Sequence, residues 1–226
     1  MVDHLSVEDA TVSFNETVAL CSVSLSVHRG DRVAVVGPSG SGKSTLLHLL
    51  AGLVAPTTGT VSFNGRNLAD QKPAQNAELR RSSFGFVFQH GLLLPDLLLA
   101  ENVGLPVLLA GGRPKAARSK ARELLDSFGI GSLATRMPGE VSGGEAQRAA
   151  ICRALINDPE VIFADEPTGA LDSANAAHVV AMLLDASQER KATLVMVTHQ
   201  EALTAQFDRF LRLADGTVSE ALATEA

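Results

Sequence analysis

The chain opens with short apolar runs of alternating character, Leu5 to Phe14 and Val18 to Val27, a pattern that predicts two β-strands with one face buried. The run Arg32-Val33-Ala34-Val35-Val36 does not alternate and suits a parallel strand buried on both faces. After a glycine-rich turn, Ser44 to Ala51 reads as a helix stopped near Gly52. Thr60 to Asn64 and Phe84 to Gln89 read as further strands. From Leu97 to about Ile156 strand-like runs vanish, and helical patterns rich in Ala, Leu, Arg and Lys replace them. Strand character returns at Val161 to Ala164. A helix over Ser173 to Arg190, a strand over Thr193 to Thr198 and a short helix over Glu201 to Phe207 follow. Phe210 to Leu213 and Thr217-Val218, joined through Asp215-Gly216, predict a closing hairpin. Alternating strands and helices specify an α/β fold. The expected architecture is a mostly parallel sheet, an N-terminal antiparallel β region, and a helical subdomain at 97–156 inserted into one domain spanning 1–226.

Composition narrows the function. With 226 residues and 46% hydrophobic content, the chain can bury one large core. Its net charge of −6 provides no basic field for nucleic acid. Cys21 and Cys152 lie far apart and form no metal or redox motif, which fits free thiols in a reducing compartment. Met1 to Ala10 carries Asp3, Glu8 and Asp9 and is not a signal peptide. The longest apolar stretch, Gly91 to Gly112, is interrupted by Pro95, Asp96, Glu101, Asn102 and Pro106, so the chain is not expected to span a membrane.

Two segments carry phosphate chemistry. Gly37-Pro38-Ser39-Gly40-Ser41-Gly42-Lys43-Ser44 links a buried strand to a helix. Glycines at this spacing let successive N–H groups curl around phosphate oxygens, and the helix N-terminus, with Thr45 in its first turn, favours anions. Lys43 is expected to bridge the β- and γ-phosphates and Ser44 to ligate Mg²⁺. The strand Val161 to Ala164 delivers Asp165 and Glu166 to a strand end, where open α/β sheets bind ligands. Asp165 suits a Mg²⁺ contact through water, and Glu166 suits a general base for an attacking water.

Val141-Ser142-Gly143-Gly144-Glu145-Ala146-Gln147-Arg148 resembles the signature segment of the ATP-binding subunits of ATP-binding-cassette transporters, and the whole chain follows that family's motif order. Val141 stands where Leu is usual, and Ala146 replaces a polar residue frequent in the family. Gln89 is similar to the family's Q-loop glutamine, a contact to the metal and the attacking water. Gly169-Ala170-Leu171-Asp172 resembles the D-loop and His199 the switch histidine at the γ-phosphate. Phe14, 23 residues before Gly37, stands where the family places an aromatic that stacks on adenine, usually Tyr. The resemblance implies that Ser142, Gly143 and Gly144 grip the γ-phosphate of ATP on a second copy of the chain, with Asp172 at the seam. The implied assembly is a head-to-tail homodimer with two sandwiched ATP molecules.

The partner implied is a separate transmembrane permease subunit, with the chain peripheral on the cytoplasmic face of the membrane. The leucine-rich run Gly91 to Leu99, through Leu97 and Leu98, is the expected docking surface, with subdomain core as its other reading. The cationic stretch Arg113 to Arg122 reads as a solvated helix face, with lipid headgroups as the alternative. The phrases F-G-F-V-F-Q, L-L-L-P-D, E-N-V-G-L-P and A-D-E-P-T-G-A-L-D look most like the lipoprotein-release and macrolide-efflux branch. That branch implies export or extraction of a hydrophobic substrate: lipoprotein, peptide antibiotic, haem or drug. The alternative is the ATPase of a non-transporting regulatory complex. A P-loop kinase or GTPase leaves the Ser-Gly-Gly segment unexplained.

Overall fold

The computed structural model describes residues 3–89, 91–169 and 171–222. Two sheets enclose one helix. The antiparallel sheet runs in the order β2-β1-β4-β5, from β1 (Leu5–Phe14), β2 (Thr17–Val27), β4 (Thr58–Phe63) and β5 (Arg66–Asn67). The larger sheet runs in the order β10-β9-β3-β8-β7-β6. Its members are β3 (Arg32–Val36), β6 (Phe84–Phe88), β7 (Val161–Asp165), β8 (Thr193–Thr198), β9 (Arg209–Ala214) and β10 (Thr217–Leu222). All of its pairings are parallel except that of β10, which folds back on β9. The sequence-predicted α/β class, with a mostly parallel sheet and an N-terminal antiparallel region, is the observed one.

The helix between the sheets is α1 (Lys43–Leu50), which buries Leu46, Leu47, Leu49 and Leu50 against β1, β2, β4, β7 and β8. This sandwich fixes the helix N-terminus, and with it the phosphate loop. Phe63, Phe84 and Phe163 continue the core as edge-on rings with centroids 5.0 and 5.2 Å apart, tying the antiparallel sheet to the parallel one. On the other face of the large sheet, α6 (Ser173–Arg190) buries Val179, Val180 and Leu183.

The stretch expected to be helical holds α3 (Leu99–Leu109), α4 (Pro114–Ser127) and α5 (Gly143–Leu155), with single 3-10 turns at Gly131–Leu133 and Pro138–Glu140. These helices share a small core of Leu99, Val103, Ala121, Leu125, Ala149, Cys152 and Ile156. Burial pushes the Cys152 thiol up to about 12, which makes it an inert core group. The leucine-rich run divides: Leu99 is core, Leu93 packs on its edge, and Leu92 and Leu94 stand exposed.

Two elements depart from the sequence expectation. Helix α2 (Pro73–Ser83) was not expected, because it buries no residue and so has no apolar period to read. Local chemistry starts it instead: Pro73 occupies the first turn, and the Lys72 N–H donates to Gln75 Oε1 at 2.9 Å. Residues expected as a short helix through Phe207 form a 3-10 stretch, Glu201–Gln206, which stops so that Phe207 can enter the core.

Candidate nucleotide site

The C-terminal ends of four adjacent parallel strands define the site. Strand β3 leads into Gly37, β6 into Gln89, β7 into Asp165 and Glu166, and β8 into His199. In such sheets this edge is the natural ligand crevice. Ser39, Ser44, Phe88, Gln89, Leu92, Asp165 and Glu166 line an open, mainly polar cleft of about 500 Å³ there. Residues separated by more than half the chain therefore face one space.

The phosphate loop is held from both sides by backbone. A Cβ at Gly37 would lie 2.0 Å from the Leu213 carbonyl oxygen, and one at Gly42 would lie 2.4 Å from that of Ala19. Gly42 also adopts a φ of 101°, which glycine alone accepts without strain. The turn between β9 and β10 braces the loop: the Gly216 N–H donates to the Ser41 carbonyl at 3.2 Å, and the Cys21 N–H donates to the Gly216 carbonyl at 2.8 Å. Inside this cradle Lys43 is only 5% exposed. Its Nζ donates to the carbonyls of Gly37 (3.0 Å) and Pro38 (2.9 Å) and lies 3.9 Å from Glu166 Oε1. The ammonium thus sits coiled in its own loop.

Ser44 Oγ donates to Asp165 Oδ1 at 2.9 Å, so an oxygen pair suited to a hard cation is preassembled. Among the described residues no cluster of three His, Cys, Asp or Glu side chains forms a closed metal cage. A Mg²⁺ ion here would have to complete its shell with phosphate and water oxygens, which fits an octahedral ion that keeps water.

Glu166 occupies the left-handed region at φ 44°, unusual for a non-glycine residue and common where a site aims a side chain. Its N–H donates to the Val197 carbonyl (3.0 Å), and its own carbonyl accepts from Gly169 N–H (3.0 Å). The carboxylate Oε2 accepts from His199 Nδ1 at 2.9 Å. A carboxylate can only accept, so Nδ1 carries the proton in this pair. A Cβ at Gly169 would lie 2.5 Å from Gln89 Nε2, so glycine there makes room for the Gln89 amide.

Other expected site residues lie outside the cleft. Phe14 is 50% exposed at the β1–β2 turn. Asp172 caps α6, accepting from the Asn175 N–H at 2.9 Å. Ala170, within the expected D-loop, lies outside the described residues, as does His90. Ser142 caps α5, and Glu145 reaches back to accept from the Ser142 N–H (2.7 Å) and hydroxyl (2.8 Å). Those two donors hold the Glu145 carboxyl below the usual carboxylate range. Around Gly143 a Cβ would meet nothing within 4 Å, so this helix N-terminus opens to the outside. It does not line its own chain's cleft.

The same helix is nonetheless bonded to the cleft's rim. Gln147 Nε2 donates to the Phe88 carbonyl at 3.1 Å, and Arg153 donates to the carbonyls of Gly91 (2.6 Å) and Leu92 (2.7 Å). These contacts were not anticipated from sequence. Nothing in Gln147 or Arg153 alone distinguishes a strut from a solvated helix side chain. A second cleft, mostly apolar, opens beside the rim between α2, β6, α3 and α5, with Leu53, Phe86, Phe88, Leu92 and Leu109 among its walls. Its α2 wall escaped the sequence reading together with α2.

Comparison with known proteins gives the family and the fold. Residues 20–169 match the ABC transporter family. The chain is 47% identical over 202 residues to the lipoprotein-releasing system ATP-binding protein LolD of Myxococcus xanthus, covering 89% of this chain and 90% of that protein. It is 42% identical over 205 residues to LolD of Shewanella denitrificans, covering 91% and 88%. Among solved structures it is similar to the dimeric post-hydrolysis state of the ATP-binding cassette MJ0796 bound to ADP and Pi, with a TM-score of 0.88 and 34% identity over 98% of this chain and 100% of that one. The chain belongs to the ABC transporter family and is one of its ATP-binding, ATP-hydrolysing subunits.

Proposed function

We propose that this chain powers the release of lipoproteins from a membrane, working as a head-to-tail homodimer attached to a separate membrane subunit. The observation that carries this reading is the division of the phosphate-binding surfaces. Lys43, Ser44, Asp165, Glu166, Gln89 and His199 gather around one cleft, whereas Ser142, Gly143 and Gly144 face outward at the N-terminus of α5. A helix N-terminus with open N–H groups favours an anion, and the anion within reach of an outward face is one held by another copy. A head-to-tail pair would satisfy both surfaces twice by symmetry. LolD relatives at 42% and 47% identity support lipoprotein as the substrate class.

In this reading the loop amides and Lys43 hold the phosphates of ATP, and Lys43 exchanges its own loop carbonyls for the β- and γ-phosphate oxygens. Phe14 offers a ring to the adenine. Ser44, Asp165 and Gln89 are the residues that would hold Mg²⁺, which would neutralise phosphate charge. Glu166, kept in place by His199 and by its backbone bonds, accepts a proton from the attacking water. His199 aims its remaining ring nitrogen at the γ-phosphate region, and Asp172 lies at the seam.

Closing the dimer around ATP would carry α5 with it. Through Gln147 and Arg153 that movement passes to Phe88, Gly91 and Leu92, at the wall of the apolar cleft. We assign that cleft to a segment of the membrane subunit, and the helical subdomain at 97–156 as the part that shifts. Among the described residues no helix is long and apolar enough to cross a membrane, so a peripheral position at the cytoplasmic face fits a chain anchored through this cleft.

The test is Glu166→Gln. With ATP and Mg²⁺ the variant is expected to accumulate as a dimer by light scattering while turnover falls at least about hundredfold. A variant that stays monomeric with ATP, both alone and with its membrane subunit, rules out the sandwich.

A further inference from the structure

We propose that the outer face of α3 and α4 is a contact surface for anionic lipid headgroups. The inference rests on the membrane-attached reading above and adds a second, protein-independent contact to it.

Arg113, Lys115, Arg118, Lys120 and Arg122 fall within ten residues that contain no acid, in a chain of net charge −6. Helix α4 buries Ala117, Ala121 and Leu125 on one face. Lys115, Arg118 and Arg122 are spaced by three and four residues and so form one stripe on the exposed side. Lys120, off that stripe, is neutralised by Asp158 at 2.7 Å. Arg118 meets Glu101 only at 4.0 Å, and among the described residues Arg113, Lys115 and Arg122 have no ion-pair partner.

Charge alone would describe an ordinary solvated helix. The second observation is apolar surface in the same place. Between α3 and α4 a mainly apolar depression of about 240 Å³ is lined by Leu97, Leu105, Leu108 and Ala117, together with the charged pair Glu101 and Arg118. At the end of α3, Leu108 is 41% exposed and Leu109 59%. Reversible attachment to a membrane surface needs two such signals, apolar side chains to enter the headgroup layer and cations to attract it. Long Lys and Arg stems can lie along the apolar strip while their charges reach phosphate.

Continuity favours lipid over a soluble acidic protein. Leu109 also walls the cleft assigned to the membrane subunit, so the two surfaces meet at one corner of the molecule. A cassette held through that cleft would carry the cationic corner beside the bilayer.

The test is flotation of the full-length chain with vesicles of phosphatidylglycerol and phosphatidylcholine, against vesicles of phosphatidylcholine alone, at low ionic strength. The wild type is expected to bind the anionic vesicles preferentially and to be released by salt. The combined substitution Lys115→Gln, Arg118→Gln, Arg122→Gln is expected to weaken that binding about a hundredfold with ATP turnover retained. Leu108→Ser with Leu109→Ser should weaken it at low ionic strength, and binding equal to wild type there also counts against the proposal. Equal binding to both vesicle types, or unchanged binding by the charge variant, overturns the proposal. So does a charge variant that keeps vesicle binding but loses the membrane subunit, since the face would then belong to an acidic protein segment. The vesicles contain no protein, so a chain that copurifies with its membrane subunit yet ignores anionic lipid fails here while the reading above stands.

Discussion

The two edges of the parallel sheet both carry charged side chains and do different things with them. At the edge where the strands start, charges close on one another. Arg29 meets Glu160 at 2.5 Å, and Arg32 grips Asp208 through Nε (3.0 Å) and Nη2 (2.6 Å) while its N–H donates to the same carboxylate. Asp208 is held below the usual carboxylate range by those Arg32 bonds. At the edge where the strands finish, charges are held close without being used up. Lys43 hydrogen-bonds the carbonyls of Gly37 and Pro38 and meets Glu166 Oε1 only at 3.9 Å, while the second oxygen of Asp165 lies 3.8 Å from His48 Nε2, and both carboxylates line the cleft. The first arrangement leaves nothing for a ligand. In the function proposed above, the second would keep an ammonium, two carboxylates and a hydroxyl in position for phosphate, the preorganisation that electrostatic catalysis requires.

The sharpest test of this contrast is Lys43→Ala. ATP turnover is expected to fall by at least about hundredfold if Lys43 compensates phosphate charge as proposed. Stability without nucleotide should stay within about 1 kcal/mol of the parent, since the Gly37 and Pro38 carbonyls remain open to cleft water. A large loss of thermal stability would mean that the ammonium is a structural tie like those on the other edge.

The converse substitution is Arg32→Ala. Removing a two-pronged but partly exposed ion pair should cost about 1 kcal/mol, lowering the thermal midpoint by roughly 2–4 °C in a chain of this size. Turnover per folded molecule should be unchanged. A turnover loss approaching that of Lys43→Ala would show the two edges to be one functional unit.

The edges also differ in how far they were legible. At the finishing edge Ser39, Ser44, Gln89, Asp165 and Glu166, which line the cleft, can all be named from sequence, because phosphate-binding motifs set glycines, a lysine and paired acids at fixed spacings over a few positions. Asp165 and Glu166 follow a buried strand, and Gly37 to Ser44 bridge a strand and a helix, so sequence neighbours are site neighbours. The starting edge stayed invisible: Arg32 and Asp208 are 176 positions apart, and His4 and Thr193 are 189 apart. Nothing local marks such pairs. Strand β1 was legible through apolar alternation, and β3, β8 and helix α6 through apolar content and bounds, whereas α2, which buries nothing, was not. The struts Gln147 and Arg153 were missed for the same reason as the ion pairs, since their acceptors are backbone carbonyls with no sequence identity.

The smallest expected effect separates the edges by pH. His4 is buried on the starting edge, its Nδ1 2.7 Å from Thr193 Oγ1 and its Nε2 3.7 Å from Glu160. Burial, followed by the positive charge of Arg29, lowers its pKa, against an opposing pull from Glu160. The folded chain therefore prefers His4 neutral, while the unfolded chain protonates it below about pH 6.5. Stability from this preference is present above that unfolded value and is lost as pH falls through the lower folded one. The neutral ring fits its neighbours: Thr193 Oγ1 accepts from the Gly30 N–H at 3.0 Å, its one hydroxyl proton is shared between the His28 carbonyl at 3.3 Å and Nδ1, and a neutral imidazole can meet it as donor or acceptor. In His4→Asn a side-chain amide takes over the Thr193 contact without titrating. The wild type should lose a few degrees more of thermal midpoint than the variant between about pH 7.5 and 5.5, with ATP turnover following the same pH profile in both. Parallel midpoint curves would remove His4 as the titrating group, and a turnover profile that shifts with the variant would tie the starting edge to the chemistry after all.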